Sequence, residues 1–244
     1  MANSSPLKRI LLCAALLAAT ALFTALGVWQ LERRAWKMDL IDRVDARIHA
    51  DAAPAPPPSD WAGLSKAKDE YLRVSIRGTY LNNLETEVEA STADGMGYWV
   101  LTPFKSDAGF IVLINRGFVP HASRDPRTRE AGQRQGEMNV TGLLRMTEPR
   151  GQLWRSNEPP SERWYSRDVA AIVAHRGLSD AAPYFIDADS TPNPGGLPIG
   201  GLTVIAFPNN HLVYAITWCG LAILSLGFLI FGGVGSFGRR LRLD

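Results

Sequence analysis

The residues best suited to chemistry lie near the C-terminus, in Pro208-Asn209-Asn210-His211-Leu212-Val213-Tyr214-Ala215-Ile216-Thr217-Trp218. His211, Tyr214 and Trp218 are spaced i, i+3 and i+7, so in a helix they share one side. Asn210 suits an N-cap and would put His211 in the first turn. The positive end of a helix disfavours imidazolium, which keeps the ring neutral and able to bind metal. Such an imidazole beside aromatic rings is a candidate axial ligand for haem iron. The same residues also suit a plainer arrangement, with Tyr214 and Trp218 in an interfacial belt and His211 hydrogen-bonded at the helix start.

A second cluster follows Leu26. Trp29, Arg33, Trp36 and Lys37 fall on one side of a helix. If this helix pairs with the one opened by His211, the cluster stands at the same depth, and its cations could hold haem propionates. The alternative is that these cations snorkel to lipid phosphates. Arg116, in Asn115-Arg116-Gly117-Phe118-Val119-Pro120, sits where glycine allows a close turn and proline stops strand pairing. The plain expectation for Arg116 is a partnership with an acidic neighbour. His49, His121 and His175 show no ligand spacing and read as surface histidines. No nucleophile elbow, P-loop, dinucleotide fingerprint or His/carboxylate metal motif is present, so the sequence points to no enzyme.

Two apolar runs must position these residues. Ile10 to Val28 and Leu212 to Val234 carry no charge. Each matches the roughly 20 residues needed to cross a bilayer as a helix. The alternative for the first is a cleaved signal peptide, with Lys8 and Arg9 as n-region and Ala19-Thr20-Ala21 resembling a cleavage site, although the apolar run continues beyond it. The mean hydropathy of −0.06 therefore averages two unlike parts. Both cysteines, Cys13 and Cys219, sit in the runs, which excludes a disulfide framework. A net charge of +2, without a basic stripe interleaved with aromatics, excludes nucleic acid as a partner. The expected organisation is an N-terminal segment 1–9, a first transmembrane helix 10–28, a water-soluble domain 29–211, a second transmembrane helix 212–234 and a basic tail 235–244. The domain opens with a helical extension 29–52 and a proline-rich linker 53–60.

Charge sets the orientation. No Lys or Arg occurs in the fifteen residues before the second span, whereas Arg239, Arg240 and Arg242 follow it. Both termini are then cytoplasmic. Arg33, Arg34, Lys37 and Arg43 fall on the outer side against the rule, softened by Glu32, Asp39 and Asp42. Only seven residues precede Lys8, too few for an Arg-rich mitochondrial presequence. The expectation is a bacterial inner membrane, with the domain in the periplasm.

Within the domain, Trp36, Leu40, Val44 and Ile48 recur every four residues and extend the first helix until the prolines end it. Period-two alternation predicts strands over 71–80, 85–91, 97–104, 110–116 and 138–146, with shorter ones at 184–187 and 202–207. Phe110-Ile111-Val112-Leu113-Ile114 is apolar on both faces, as a central strand would be. Ser166 is expected to cap a helix that ends at His175 and is closed by Gly177. The Arg-rich stretch His121 to Gly136 reads as solvated loop. The uncharged approach 192–208 is expected to pack on the domain. The fold class is α+β: two transmembrane helices flanking an antiparallel, barrel-like sheet with one or two helices.

Taken in order, the signatures resemble a known family. Leu26-Gly27-Val28-Trp29-Gln30 with Arg33, Trp36 and Lys37 is similar to the first-span signature of the Surfeit locus protein 1 family. Arg77-Gly78-Thr79-Tyr80, Asn115 to Pro120, and Asn210-His211-Leu212 with Tyr214-Ala215 and Thr217-Trp218 resemble its others. Phe118 stands where tryptophan is common, and His121 to Gly136 matches nothing. The resemblance implies an assembly factor for haem–copper oxidases, chiefly cytochrome c oxidase, in an inner membrane. It implies haem a as cofactor, with His211 and Trp218 as the haem-associated pair. It implies the large oxidase subunit as partner, with haem a synthase a further one beside membrane lipid. A cofactor-free scaffold that stabilises an oxidase subunit is the alternative. Tyr214, Trp29, Arg33, Lys37 and Arg116 are added as candidate pocket residues on the reasoning above.

Overall fold

The computed structural model describes residues 6–149, 155–205 and 207–237. The N-terminal segment expected at 1–9 lies outside them up to position 5, and the basic tail expected at 235–244 from position 238 on. In chain order the elements are α1 (Pro6–His49), β1 (Ala53–Pro54), α2 (Lys66–Asp69), β2 (Arg73–Tyr80), β3 (Thr86–Thr92), β4 (Gly95–Ser106), β5 (Ile111–Pro120), β6 (Met138–Met146), α3 (Val169–His175), β7 (Ala181–Ala188) and α4 (His211–Phe237). They form two units. One comprises Met1–Arg43 with Ala206–Asp244, and the other Val44–Ile205.

The first unit is a pair of helices. α1 and α4 are both long and apolar enough to cross a membrane. Only 6% and 11% of their most apolar stretches are buried, unlike the core helices of a water-soluble fold. Their pairing is antiparallel. Ser225 Oγ donates to the Leu16 carbonyl at 3.2 Å, the Phe23 and Trp218 rings stack at 5.7 Å, and His211 meets Gln30. From His211 to Ser225 the buried or half-buried positions of α4 are spaced by four and three residues: His211, Ala215, Trp218, Ala222 and Ser225. Leu16, Thr20, Phe23, Gly27 and Gln30 answer them on α1 with the same spacing. This is the seam of a left-handed pair. A Cβ on Gly27 would come within 3.2 Å of Cys219 Sγ, so the glycine permits close approach. Thr20, Thr24 and Thr217 donate their hydroxyls to carbonyls four residues back, which keeps these polar groups paired in an apolar helix.

The second unit is a closed barrel. Strands run in the order β2-β6-β7-β5-β4, and β4 pairs again with β2, so five strands close on themselves. Every pairing in the ring is antiparallel except β5 with β7. Closure occurs where Gly78 meets Ser106; a Cβ there would come within 2.1 Å of the Lys105 carbonyl oxygen. Val74, Ile76, Phe104, Val112, Ile114, Val140, Leu144, Tyr184 and Ile186 fill one core. The alternate residues Leu113 and Phe185 face outward, yet α3 and Trp164 cover them with a second core. Strand β5 is therefore apolar on both faces because both faces are buried. β3 extends the sheet beyond β4, and β1 pairs in parallel with the first residues of β2.

Several expectations change. The proline-rich segment joins the barrel: Ala53 and Pro54 pair with Val74 and Ser75, and the Pro56 carbonyl accepts from Tyr184 Oη and Trp61 Nε1. Asp168, not Ser166, caps α3 by accepting from the Ala171 N–H; the Ser166 N–H and hydroxyl are instead engaged with Asn157. Of the strand expected at 202–207, none of the described residues joins the sheet. Pairing is limited to one bridge between Ile199 and Phe118, after which the Gly201 N–H and the Thr203 hydroxyl donate singly to the Ala188 carbonyl and to Asp187. The stretch His121 to Gly136 is not simply solvated. It folds into two tight helical turns, and Arg129 within it is 5% exposed, bound to Glu85 at 2.6 Å.

Candidate functional site

The helix pair brings His211 and Gln30 together. His211 Nδ1 lies 2.8 Å from Gln30 Oε1. An amide oxygen only accepts, so Nδ1 carries the proton, and in the neutral ring Nε2 holds the lone pair. A ring fixed this way through one nitrogen presents the other as a metal ligand, the usual arrangement around protein-bound metals. α4 begins at His211, and the Asn210 carbonyl accepts the Tyr214 N–H in its first turn. The imidazole thus stands at the positive end of the helix. Gln30 is 8% exposed although polar, and its pairing with His211 accounts for that burial. Among the candidate residues of the sequence, Trp218 shares the seam with His211 and stacks on Phe23.

The remaining candidates are distributed differently. Tyr214 is 54% and Trp29 53% exposed, so both lie off the seam. Arg33 is exposed and rests its guanidinium 4.0 Å over the Trp36 ring. Lys37, seven residues beyond Gln30, is half-buried. Arg116 belongs to the barrel unit, is 1% exposed and forms no ion pair among the described residues. The expected acidic partner is absent there because neutral oxygens take its place. Arg116 donates to the carbonyl of Gly132, to Asn82 Oδ1 at 3.5 Å and to Asn193 Oδ1 at 3.4 Å, and covers the Tyr80 ring at 4.7 Å.

The rest of that motif is a fastening. Asn115 donates to Asp187 at 2.7 Å and accepts the Gly117 N–H. Gly117 adopts φ +123, and a Cβ on it would overlap the Ile199 carbonyl oxygen at 1.9 Å. Phe118 exchanges both backbone hydrogen bonds with Ile199 at 2.9 Å. The uncharged segment before α4 is thereby held on the barrel. Asp187 also anchors a buried charge network that periodicity did not reveal. It accepts from Arg145 at 2.7 Å, from Arg167 at 3.2 Å and from Thr203 at 3.0 Å, while Arg145 also binds Glu70 and Glu148. Of the histidines set aside, His175 binds Glu162 at 2.8 Å and His49 lies beside Asp45, so both are partnered near the surface.

Gln30 is the site residue that sequence reasoning missed. No local signal marks it, because Gln30 lies just beyond the uncharged run Ile10 to Val28 and close to the charged residues Glu32, Arg33 and Arg34.

Comparison with known proteins places the chain. The SURF1 family model matches residues 17–223, from within α1 to within α4. The chain is 39% identical over 213 residues to Surfeit locus protein 1 of Rattus norvegicus, covering 80% of this chain and 67% of the rat protein. It is 37% identical over 214 residues to the Homo sapiens protein of the same name, covering 81% of this chain and 69% of the human one. With that of Takifugu rubripes identity reaches 41% over 214 residues, covering 80% and 86%. The match thus takes in both helices and the barrel together, and the chain belongs to the SURF1 family.

Proposed function

We propose that this protein, as a member of a family of cytochrome c oxidase assembly factors, binds haem a at the His211 end of its helix pair and assists its insertion into the large oxidase subunit. The observation that supports the reading most is the His211–Gln30 pair. It leaves Nε2 as the ligating nitrogen and fixes the plane of the ring. His211 would hold the iron, and the Phe23–Trp218 stack would give the ring system an apolar wall. Arg33 and Lys37 are the cations on the same helix suited to carboxylates. Haem would supply the cargo and its colour; the chain's own residues bind and orient it.

Sidedness follows from charge. Arg239, Arg240 and Arg242 follow α4, and no Lys or Arg stands in the fifteen residues before it. This favours cytoplasmic termini and a barrel on the outer face of an inner membrane, bacterial on our reading. The partners in this role are the large oxidase subunit, haem a synthase and membrane lipid.

The test is spectroscopic. Protein purified in detergent from cells that make haem a should show a Soret band, and His211→Ala should lose most of it while remaining folded. An unchanged band in that variant removes His211 as ligand. Colourless protein that still copurifies with the oxidase subunit would favour the cofactor-free scaffold.

A further inference from the structure

The barrel contains a cation that its own structure does not neutralise. Arg116 is 1% exposed, its described partners are neutral oxygens and the Tyr80 ring, and its Nε is buried with no partner. A buried guanidinium usually keeps a carboxylate beside it, because an uncompensated charge away from water is costly. Arg116 instead lines a cavity of about 70 Å³, whose wall also includes Tyr80, Arg134, Thr141, Asp189 and Asn193. Arg134 is half-buried and has no ion pair among the described residues. Burial draws the Arg116 guanidinium below its usual range; Tyr80 and the more distant Glu85 carboxylate offset this in part, while the charges of Arg129 and Arg134 add to it. Asp189 is the one carboxylate on the wall, and its Oδ1 accepts the Thr191 N–H. Two cations against one carboxylate leave the cavity positive.

We propose that this cavity binds one compact oxyanion, a carboxylate or phosphate group, between Arg116 and Arg134. The size agrees. A single water needs about 10–15 Å³ on the same measure, so the space suits a group of several heavy atoms rather than a whole cofactor. The donor set agrees as well. Guanidinium N–H groups match the paired oxygens of both anions, and the Thr141 hydroxyl adds a neutral donor. A purely structural role for Arg116, tying Gly132 and Asn193 to the strand end, explains its Nη bonds. It leaves unexplained why Arg134, a second cation with no ion pair among the described residues, lines the same cavity. The site is separate from the helix-pair reading above and does not depend on it.

Calorimetric titration of the full-length protein in detergent tests the proposal. Sodium phosphate and sodium acetate would be titrated separately, against sodium chloride at equal ionic strength. A single saturable site is expected for at least one of the two. Phosphate alone identifies a phosphate group, acetate alone a carboxylate, and both a general oxyanion site. Arg134→Gln should weaken binding by about tenfold or more while leaving the unfolding midpoint of the barrel in place. Thr141→Val, also in the cavity lining, is the second variant should the first unfold, and it too should weaken binding. Saturation indistinguishable from chloride, or unaltered affinity in both variants, overturns the proposal.

Discussion

The His211 imidazole is informative because of what its other nitrogen does. With Gln30 Oε1 at 2.8 Å, the proton sits on Nδ1 and the ring cannot turn without losing the bond. A supporting bond of this kind commonly accounts for 10–100-fold in metal affinity. If the protein binds haem as proposed, Gln30→Ala is expected to weaken that binding by roughly 10–100-fold without abolishing the Soret band, whereas His211→Ala loses most of it. Reconstitution of the two variants with haem at varied concentration separates these outcomes; equal losses would mean that Gln30 does more than orient the ring. The histidine was legible in the sequence because a polar residue at a helix start beside aromatics draws attention. Its partner was not, because the contact spans 181 positions and nothing local marks Gln30 as its other half. Arg116 shows the same limit. Its motif was visible, but the replacement of an acidic partner by neutral oxygens depends on how Asn82, Gly132 and Asn193 converge.

Elements were read well where one face is apolar and poorly where tertiary pairing decides. The alternation of Leu72, Val74 and Ile76, or of Val140, Gly142 and Leu144, is enforced by a barrel interior, so period two survives in the sequence. Closure is different. That β4 returns to β2 depends on Gly78 lying against the Lys105 backbone, and the sequence shows only a glycine in a strand. The segment 121–136 was misjudged because charge counts say nothing of burial; Arg129 reaches Glu85, 44 positions away, and is buried by doing so. The loop before α4 is held in a similarly nonlocal way, through Gly117 and the Phe118–Ile199 bridge. Gly117→Ala would force a side chain into a positive-φ position and into the Ile199 carbonyl. It is expected to destabilise the barrel by about 3 kcal/mol or more. Gly136→Ala, also at positive φ (+79) but with open space around it, should cost only about 1 kcal/mol. Urea unfolding of the two variants, followed by tryptophan fluorescence, checks the difference; equal losses would show that strain alone, rather than the close approach, matters at Gly117.

At the scale of the whole molecule the two units are stabilised by different means, and pH distinguishes them. Apart from the His211–Gln30 contact, the helix pair rests on apolar packing and a few internally paired hydroxyls, which do not titrate near neutrality. The barrel buries carboxylates. Glu87 is pushed up to about 7, first by burial, then by Glu85 beside it, and the positive charges of Arg129 and Arg124 only partly offset this. Arg129 is already committed to Glu85 at 2.6 Å and reaches Glu87 at 3.6 Å. Because the folded value lies above the unfolded one, the native barrel holds a proton that the unfolded chain releases above its ordinary value of 4.5. The stability this proton confers is fully present below about 4.5, declines as pH rises towards about 7 and is gone above it. Glu87→Gln keeps the neutral form at every pH. Its unfolding free energy should thus exceed that of the native sequence at pH 8 by on the order of 1–3 kcal/mol, and the gap should narrow towards pH 5. Trp164, one of the seven tryptophans and fully buried on the barrel, contributes the fluorescence change on barrel unfolding, while far-ultraviolet dichroism in detergent follows the helices. The dichroic signal of the helix pair should persist through the barrel transition and show no matching pH dependence. A gap between variant and native protein that stays constant from pH 5 to 8 would mean that Glu87 is ionised throughout, and that Arg129 serves both carboxylates.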